Sequence, residues 1–138
     1  MPIETAETIT GRAREILEAP NYVVLSIARA NGTVQSNIVW ADVDGENILL
    51  NSAIGRHWPA SLQKAKHATV LAMADNNPFE WVAVEGELIS ATTDGAIEEI
   101  DRLAKKYLGV DTYPDHRPDE QRISFRLRPE RVKYVKQG

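Results

Sequence analysis

A stretch without acidic residues lies in the middle of this acidic chain. The whole sequence has 20 aspartates and glutamates against 16 lysines and arginines, yet residues 47–74 contain no acidic residue. The same stretch holds three cations and two histidines, namely Arg56, His57, Lys64, Lys66 and His67. Cations beside a glycine turn and a helix N-terminus, whose N–H groups are unpaired, favour an anion such as phosphate. The pattern predicts either an anion site near Gly55 and Arg56 or a solvated basic helix, and composition alone does not separate the two.

The three tryptophans are a second set of candidates. Trp40 and Trp81 fall in predicted strands, where packing in the core or at an interface is favoured over stacking on a ligand. Trp58 stands at the mouth of a predicted helix, beside the cations. We consider three roles for it: covering a ligand, packing on a partner subunit, or fastening the helix to the sheet. The two packing roles are favoured over ligand contact.

Other kinds of chemistry find no support in the sequence. The absence of cysteine excludes disulfides, thiolate nucleophiles and cysteine-ligated metals. No nucleophile elbow, zinc-protease helix, Walker A loop or dinucleotide-binding glycine motif occurs. The histidines suggest no metal site, His116 is expected in solvent, and Glu80, Glu85 and Glu87 are expected as surface charge. We therefore predict no metal and assign no catalytic residue.

The first half of the chain that carries these candidates is predicted to form strands between two short helices. Helical spacing of apolar residues predicts the first helix within residues 7–19. Asn31-Gly32 and Asp44-Gly45 then divide three β-branched runs, and such dipeptides favour tight hairpins, so an antiparallel meander is predicted up to Asn51. A second short helix is predicted within residues 57–67, where Pro59 suits the first turn.

The second half adds three strands and a longer helix. Gly86 lies inside a long predicted strand and indicates a bulge or bend there. A helix is predicted within residues 93–109, capped by Thr93 or Asp94 and ended by Gly109, with an apolar stripe of Ile97, Ile100, Leu103, Ala104 and Tyr107. The last strand alternates Ile123, Phe125 and Leu127 with polar residues. About six hairpin-connected strands and two to three helices predict a six-stranded antiparallel β-barrel, closed or partly closed.

Bulk properties limit the classes of function. A chain of 138 residues with 43% hydrophobic residues is expected to form one domain, residues 1–138, with its own core. A net charge of −4 argues against a general nucleic-acid binder, and no apolar run is long enough to span a membrane. The N-terminal residues lack the basic start and apolar run of a signal peptide, so a cytoplasmic protein is predicted.

Five stretches of the sequence together carry a family likeness: NYVVLSIARANGTVQSNIVW, ILLNSAIGR, NPFEWVAVEGELI, GAIEEIDRLAKKYLGVDTYP and the ending RPERV. In this order they resemble the split β-barrel flavin and deazaflavin oxidoreductases, the superfamily that includes pyridoxamine 5′-phosphate oxidase. Within it, the likeness is greatest to the F420-dependent oxidoreductases of actinobacterial type. The resemblance covers nearly the whole chain and implies a split β-barrel that binds its cofactor in a groove at the interface of a homodimer.

The resemblance also implies which residues contact the cofactor. Its ring would lie against the second and third strands, around Ser36, Asn37, Val39 and Trp40. Its phosphate-bearing tail would be held by the end of the next strand and the following turn, which comprise Asn51, Ser52, Ala53, Ile54, Gly55 and Arg56. The start of the next helix would contribute Trp58, Ser61 and Lys64. This second group coincides with the acid-free stretch, which composition alone marks as a candidate anion site.

The phosphate segment departs from the family pattern, which continues G-R-x-K-x-R-N-L. Here Trp58, Ala60 and Ser61 replace the lysine, the arginine and the asparagine. Each lost charge-assisted hydrogen bond to phosphate is worth about 1.5–3 kcal/mol, and Lys64 and Lys66 compensate only in part. The leading hypothesis is an F420-dependent reductase that transfers hydride to a small unsaturated or electron-poor substrate. The alternatives are an FMN-dependent oxidase or reductase on the same fold and a non-catalytic flavin- or tetrapyrrole-binding protein.

Overall fold

A computed structural model describes residues 3–137 of the chain. These residues form eight strands and three helices. In chain order they are β1 (Ile3–Ala6), α1 (Gly11–Glu18), β2 (Val23–Ala28), β3 (Val34–Val39), β4 (Ala41–Asp44), β5 (Asn47–Ala53), α2 (His57–Ala65), β6 (His67–Ala74), β7 (Asn77–Thr92), α3 (Ala96–Leu108) and β8 (Arg122–Lys136). Within the described range, no helix is long and apolar enough to cross a membrane.

The strands form one antiparallel sheet in the order β3-β2-β6-β7-β8-β5-β4, with β1 added beside β8. β3 and β4 are at the two ends of this order, although Trp40 alone separates them in the sequence. The sheet must therefore roll up until its ends are adjacent, which makes a barrel that is split between β3 and β4. The predicted class, a split antiparallel β-barrel with two to three helices, is confirmed.

The predicted number of six strands is wrong for two reasons. β1 is exposed along its whole length, so its sequence lacks the apolar alternation by which a strand is recognised. The middle run of the predicted meander is divided at Trp40 into β3, which pairs with β2, and β4, which pairs with β5. The two hairpins predicted from Asn31-Gly32 and Asp44-Gly45 are present, but they do not make one continuous meander.

The inner face of the barrel and helices α1 and α2 form the hydrophobic core. It contains Ile16 and Leu17 from α1, Leu62 from α2, and strand residues that include Leu25, Leu50, Val70, Val84, Phe125 and Leu127. Burial of each such side chain stabilises the fold by about 1.5–3 kcal/mol. The long strand β7 bends at Gly86, as predicted: an added Cβ there would lie 3.1 Å from the carbonyl oxygen of Arg128.

Helix α3 packs on the outer face of β5 and β8, so the beginning of β8 is covered on both sides. Ile123, Ser124 and Phe125 are consequently all buried, and the predicted alternation of buried and exposed residues fails there. Two details of the predicted helix are also wrong. Its N-cap is Gly95, in the left-handed conformation, rather than Thr93 or Asp94, and Ile97 is exposed rather than part of the buried stripe.

Candidate functional site

Helix α2 has a cavity on each side of it. The smaller one, about 230 Å³, will be called the arginine cleft; it is lined by Tyr22, Ile38, Val39, Trp40, Asn51, Ser52, Arg56, Trp58, Ile100, Tyr113 and Arg122. Six of these residues belong to the predicted cofactor site: Val39, Trp40, Asn51, Ser52, Arg56 and Trp58. The larger cavity, about 560 Å³, lies beside the β2–β3 turn, and its lining includes Arg29, Ser61, Lys64 and His67.

The floor of the arginine cleft is a buried polar network centred on Asn51. The Oδ1 atom of Asn51 accepts hydrogen bonds from Nε and Nη2 of Arg122, at 3.0 and 2.8 Å. Its Nδ2 atom donates to the carbonyl oxygen of Ala96 and to Oγ of Ser124, both at 2.8 Å. The pairing of β5 with β8, in which Asn51 is opposite Ser124, creates this network. Asn51 is thus fixed by four hydrogen bonds, and it in turn fixes the Arg122 guanidinium.

Glu120 connects the two arginines of the cleft. Its Oε1 atom lies 2.8 Å from Nη2 of Arg56 and 3.3 Å from Nη1 of Arg122. Glu120 is far from the acid-free stretch in the sequence, so the structure supplies an acid where composition shows none. Within residues 3–137, Oε2 of Glu120 and Nη1 of Arg122 are nevertheless buried without a hydrogen-bond partner. Two arginines and one carboxylate leave one positive charge, and Nη1 of Arg122 has an ion pair but no hydrogen bond.

Aromatic rings form one wall of the arginine cleft. Trp40 stacks on Tyr107 with ring centres 5.3 Å apart, and Tyr107 stacks on Tyr22 at 5.5 Å. Tyr113 meets Trp40 edge-on at 5.9 Å, while the guanidinium of Arg122 lies 5.2 Å from the centre of the Tyr113 ring. Burial raises the pKa of Tyr107 to about 12, and its hydroxyl donates to the backbone carbonyl of Asn21 at 2.8 Å. The wall is therefore held rigidly, and the Tyr107 hydroxyl stays neutral.

Trp58 contributes both to the core and to the cleft. Only 8% of its surface is exposed, and its ring centre lies 5.5 Å from that of Phe125. It therefore fastens α2 to the barrel, one of the three roles considered from the sequence, and it also lines the arginine cleft. No charged side chain could take its place without losing this packing.

The remaining predicted residues are divided between different surfaces. Asn37 lies on the inner side of β3, while Ser36 is on the outer side, with its Oγ atom 3.2 Å from that of Ser26. Ser61 and Lys64 face the larger cavity, and the Ser61 hydroxyl donates to Oε1 of Gln35 at 2.6 Å. In the turn between β5 and α2, Ala53 is buried and Ile54 is exposed, while Gly55 has a φ of +96° that favours glycine.

Sequence reasoning missed several residues of the cleft. Arg122 and Glu120 were not singled out, because each reaches Arg56 or Asn51 only through the pairing of β5 with β8. Tyr113 lies within the family stretch GAIEEIDRLAKKYLGVDTYP, but no role was predicted for it from the sequence. Glu80, expected as surface charge, is buried, because β7 turns it towards Arg12 and Tyr134.

Comparison with known proteins gives a family and a fold. Residues 9–136 match the family described as pyridoxamine 5′-phosphate oxidase. No curated protein matches the chain.

Several solved structures share the fold. A structure named F420 reductase is 21% identical with a TM-score of 0.77, covering 90% of this chain and 98% of its own. The FAD and heme binding protein of Mycobacterium smegmatis is 15% identical with a TM-score of 0.68, over 96% of this chain and 75% of its own. General Stress Protein 26 of Bacillus anthracis is 16% identical with a TM-score of 0.66, over 88% of each chain. At these identities the likeness is one of fold.

Proposed function

The chain belongs to the pyridoxamine 5′-phosphate oxidase family, and from this premise we propose that it is an oxidoreductase that uses F420, with the arginine cleft as its cofactor site. The observation that carries the proposal is the pair of arginines, Arg56 and Arg122, that share one carboxylate at the end of the strand where the family resemblance locates the cofactor phosphate; Nη1 of Arg122 has an ion pair with Glu120 but no hydrogen bond. The similarity of fold to a protein named F420 reductase supports F420 as the cofactor. FMN is the alternative.

The residues of the arginine cleft fit a phosphate-bearing ring cofactor. Arg56, whose side chain is 52% exposed, would hold the phosphate through its guanidinium group. Asn51 holds Arg122 in place at the floor of the cleft, where Nη1 of Arg122 would donate to the phosphate. Glu120 occupies the face of both guanidinium groups that an anion would use, so it must give way when the phosphate binds. The aromatic wall around Trp40 would orient the ring.

The protein's part in the reaction is positioning and exclusion of water. When bound, the cofactor supplies the hydride chemistry, and the substrate is a small unsaturated or electron-poor molecule. The rings of Tyr22, Trp40 and Tyr113 line one side of the cleft and would exclude water from it, which strengthens the interaction of Arg122 with charge. The Tyr107 hydroxyl is committed to backbone groups, so it is not available as a proton donor. We assign no catalytic residue.

A second copy of the chain is proposed to complete the site. A cleft of about 230 Å³ is smaller than the roughly 300–1,000 Å³ of usual ligand pockets. Beside it, the outer face of β3 and β6 exposes apolar side chains, with Val34 61% and Ile38 74% exposed and Met73 partly so. Apolar patches on a sheet face mark interaction surfaces. Pairing of two such faces would enlarge the cleft with residues of the partner and account for the apolar surface.

Titration of the purified full-length protein with F420, FMN, FAD and haem, followed by absorbance and fluorescence, tests the cofactor. We expect saturable binding of F420. Failure of F420 to bind at high micromolar concentration, while FMN or haem binds, would overturn the proposal. Haem or FAD binding without turnover would favour the non-catalytic alternative, for which Glu120 at the arginines is the supporting observation.

Two single variants then distinguish the cavities on either side of α2. Arg56→Ala should weaken F420 binding tenfold or more, because a charge-assisted contact worth about 1.5–3 kcal/mol is lost. Lys64→Ala, in the larger cavity, should have a smaller effect and serves as the matched control. If Lys64→Ala weakened F420 binding more than Arg56→Ala did, the phosphate would lie in the larger cavity. That result would contradict the assignment of the arginine cleft as the cofactor site.

A substitution that introduces a charge on the apolar face tests the proposed dimer. Ile38→Asp should convert a dimer into a monomer in analytical ultracentrifugation and weaken F420 binding in parallel. Ile97→Asp introduces the same charge at an isoleucine that is also exposed, but on α3, away from this face. A wild-type protein that is monomeric at micromolar concentration would contradict the dimer.

A further inference from the structure

Three side chains from neighbouring strands converge on the surface of the barrel, at the end of β7 far from β1. They are His67 at the start of β6, Glu87 in β7 and Glu130 in β8. In the sheet register, His67 is directly opposite Glu87. One imidazole and two carboxylates are the donor types that bind zinc in proteins. These three residues will be called the cross-strand cluster, and none of them lines the arginine cleft.

The bulge in the β7–β8 pairing accounts for the position of Glu130. Glu85 is paired with Arg131 and Gly86 with Pro129, so that Glu130 is the extra residue with no partner between them. A bulge of this kind redirects the side chain of the extra residue. β8 approaches Gly86 closely, with the carbonyl oxygen of Arg128 3.1 Å from where a Cβ would stand, so the bulge leaves little room for a side chain here. Without the bulge, the side chain of Glu130 would not lie beside that of Glu87.

The distances in the cluster correspond to those between the ligands of one metal ion. Nε2 of His67 lies 3.5 Å from Oε1 of Glu130 and 3.8 Å from Oε2 of Glu87. The three ligand atoms all lie within 4.8 Å of one another. Bonds of about 2.0–2.2 Å to zinc, arranged tetrahedrally, put ligand atoms roughly 3.3–3.6 Å apart. Small rotations of exposed side chains are enough to close the remaining difference.

Arg128 fixes the orientation of the Glu87 carboxylate in the cross-strand cluster. Its Nη2 atom donates to Oε1 of Glu87 at 2.8 Å, which leaves Oε2 of the same carboxylate directed at His67. A partner that holds the second atom of a ligand group fixes its orientation, as in known metal sites. With neutral His67, the two carboxylates and Arg128 carry a net charge of −1, which a divalent cation reverses to +1.

We propose that the cross-strand cluster binds a single Zn²⁺ ion through His67, Glu87 and Glu130, with water at the fourth position. The ion would join β6, β7 and β8 where the long strand β7 bends, and it would stabilise the fold in proportion to its binding. The competing explanation is a solvated ion-pair cluster around protonated His67. The proposal is independent of the cofactor proposed for the arginine cleft.

Isothermal titration of the chelator-treated full-length protein with ZnCl₂ near neutral pH tests the site. We expect one Zn²⁺ per chain and a higher thermal unfolding midpoint when the ion is bound. His67→Ala and Glu130→Gln should each weaken binding by at least tenfold and remove the increase in the midpoint. Because Glu130 is exposed at the surface, its amide variant is expected to fold.

His116→Ala is the matched control, since His116 also meets a carboxylate, that of Asp101 at 2.7 Å, but has only this one. It should leave Zn²⁺ binding unchanged. Absence of saturable binding in the wild type would overturn the proposal in favour of the ion-pair cluster. Equal weakening by His116→Ala and His67→Ala would overturn it as well, because the metal would then bind histidines indiscriminately.

Discussion

Two inward-facing carboxylates of this protein, Glu80 and Glu120, are each held by arginine, but only one of them is fully satisfied. Glu80 accepts hydrogen bonds from Nε and Nη2 of Arg12 at 2.9 and 3.1 Å, and from the Tyr134 hydroxyl at 2.5 Å. The Glu120 side chain is similarly buried, with 9% exposed, yet its Oε2 atom has no partner among the described residues. Nη1 of Arg122 lies 3.3 Å from the other oxygen of Glu120 but makes no hydrogen bond.

Under the proposed function, the difference separates a structural centre from a proposed binding centre. The Glu80 centre joins α1, β7 and β8, and the cavity of about 180 Å³ beside it is lined by Arg12 and Tyr134, which already pair with Glu80. The Glu120 centre lies at the arginine cleft, where an incomplete buried network carries a cost of about 1–3 kcal/mol for each unpaired group. Such a cost is retained where a ligand can supply the missing partner. We therefore interpret the complete pairing at Glu80 as structural, and the incomplete pairing at Glu120 supports the proposal that the arginine cleft binds a ligand.

Removal of the arginine from each centre should give the largest effect. Arg122→Leu removes both donors to the buried Oδ1 atom of Asn51 and leaves Glu120 with the exposed Arg56 alone, so it should lower the free energy of unfolding by about 3–5 kcal/mol. Arg12→Leu should cost less, about 1–3 kcal/mol, because the Arg12 side chain is 42% exposed and Tyr134 continues to donate to Glu80. Urea unfolding measures both. An equal loss of unfolding free energy in the two variants would contradict the expectation that the more deeply buried arginine contributes more.

Removal of the negative charge should change ligand affinity at Glu120 and stability at Glu80. Glu120→Gln takes a competing negative charge away from Arg56 and Arg122, so binding of F420 or FMN should tighten by about tenfold, equivalent to about 1.4 kcal/mol. Glu80→Gln should destabilise the protein and leave the affinity unchanged. Fluorescence titration of the two variants under identical salt makes the comparison. Weaker binding by Glu120→Gln would mean that Glu120 positions the arginines instead of competing for them.

The two centres also mark the limit of what the sequence could predict. The turn at Gly55 and Arg56 follows from local patterns, since a strand, a glycine and a helix start are contiguous. Arg122 and Glu120 join Arg56 only because β5 pairs with β8, and neither residue stands in a local motif. The division of the middle β-branched run at Trp40 into β3 and β4 cannot be predicted from the sequence either, because it depends on how the sheet closes. The local turn was predictable here, whereas the partners that strand pairing brings together were not.

The smallest predicted effect is the dependence of stability on pH at the Glu80 centre. Hydrogen bonds from Arg12 and then from Tyr134 lower the pKa of Glu80 to about 2, from an ordinary value of 4.5. A carboxyl group whose pKa is lowered by folding stabilises the protein fully above its unfolded pKa and loses this contribution as the pH falls towards its folded pKa. The stability difference between wild type and Glu80→Gln should therefore be largest near pH 6 and shrink between about pH 4.5 and 2. Urea unfolding of both proteins across this range measures the difference. If it stayed constant down to pH 3, the pairing with Arg12 would not depend on the charge of Glu80, and the satisfied centre would owe its stability to packing.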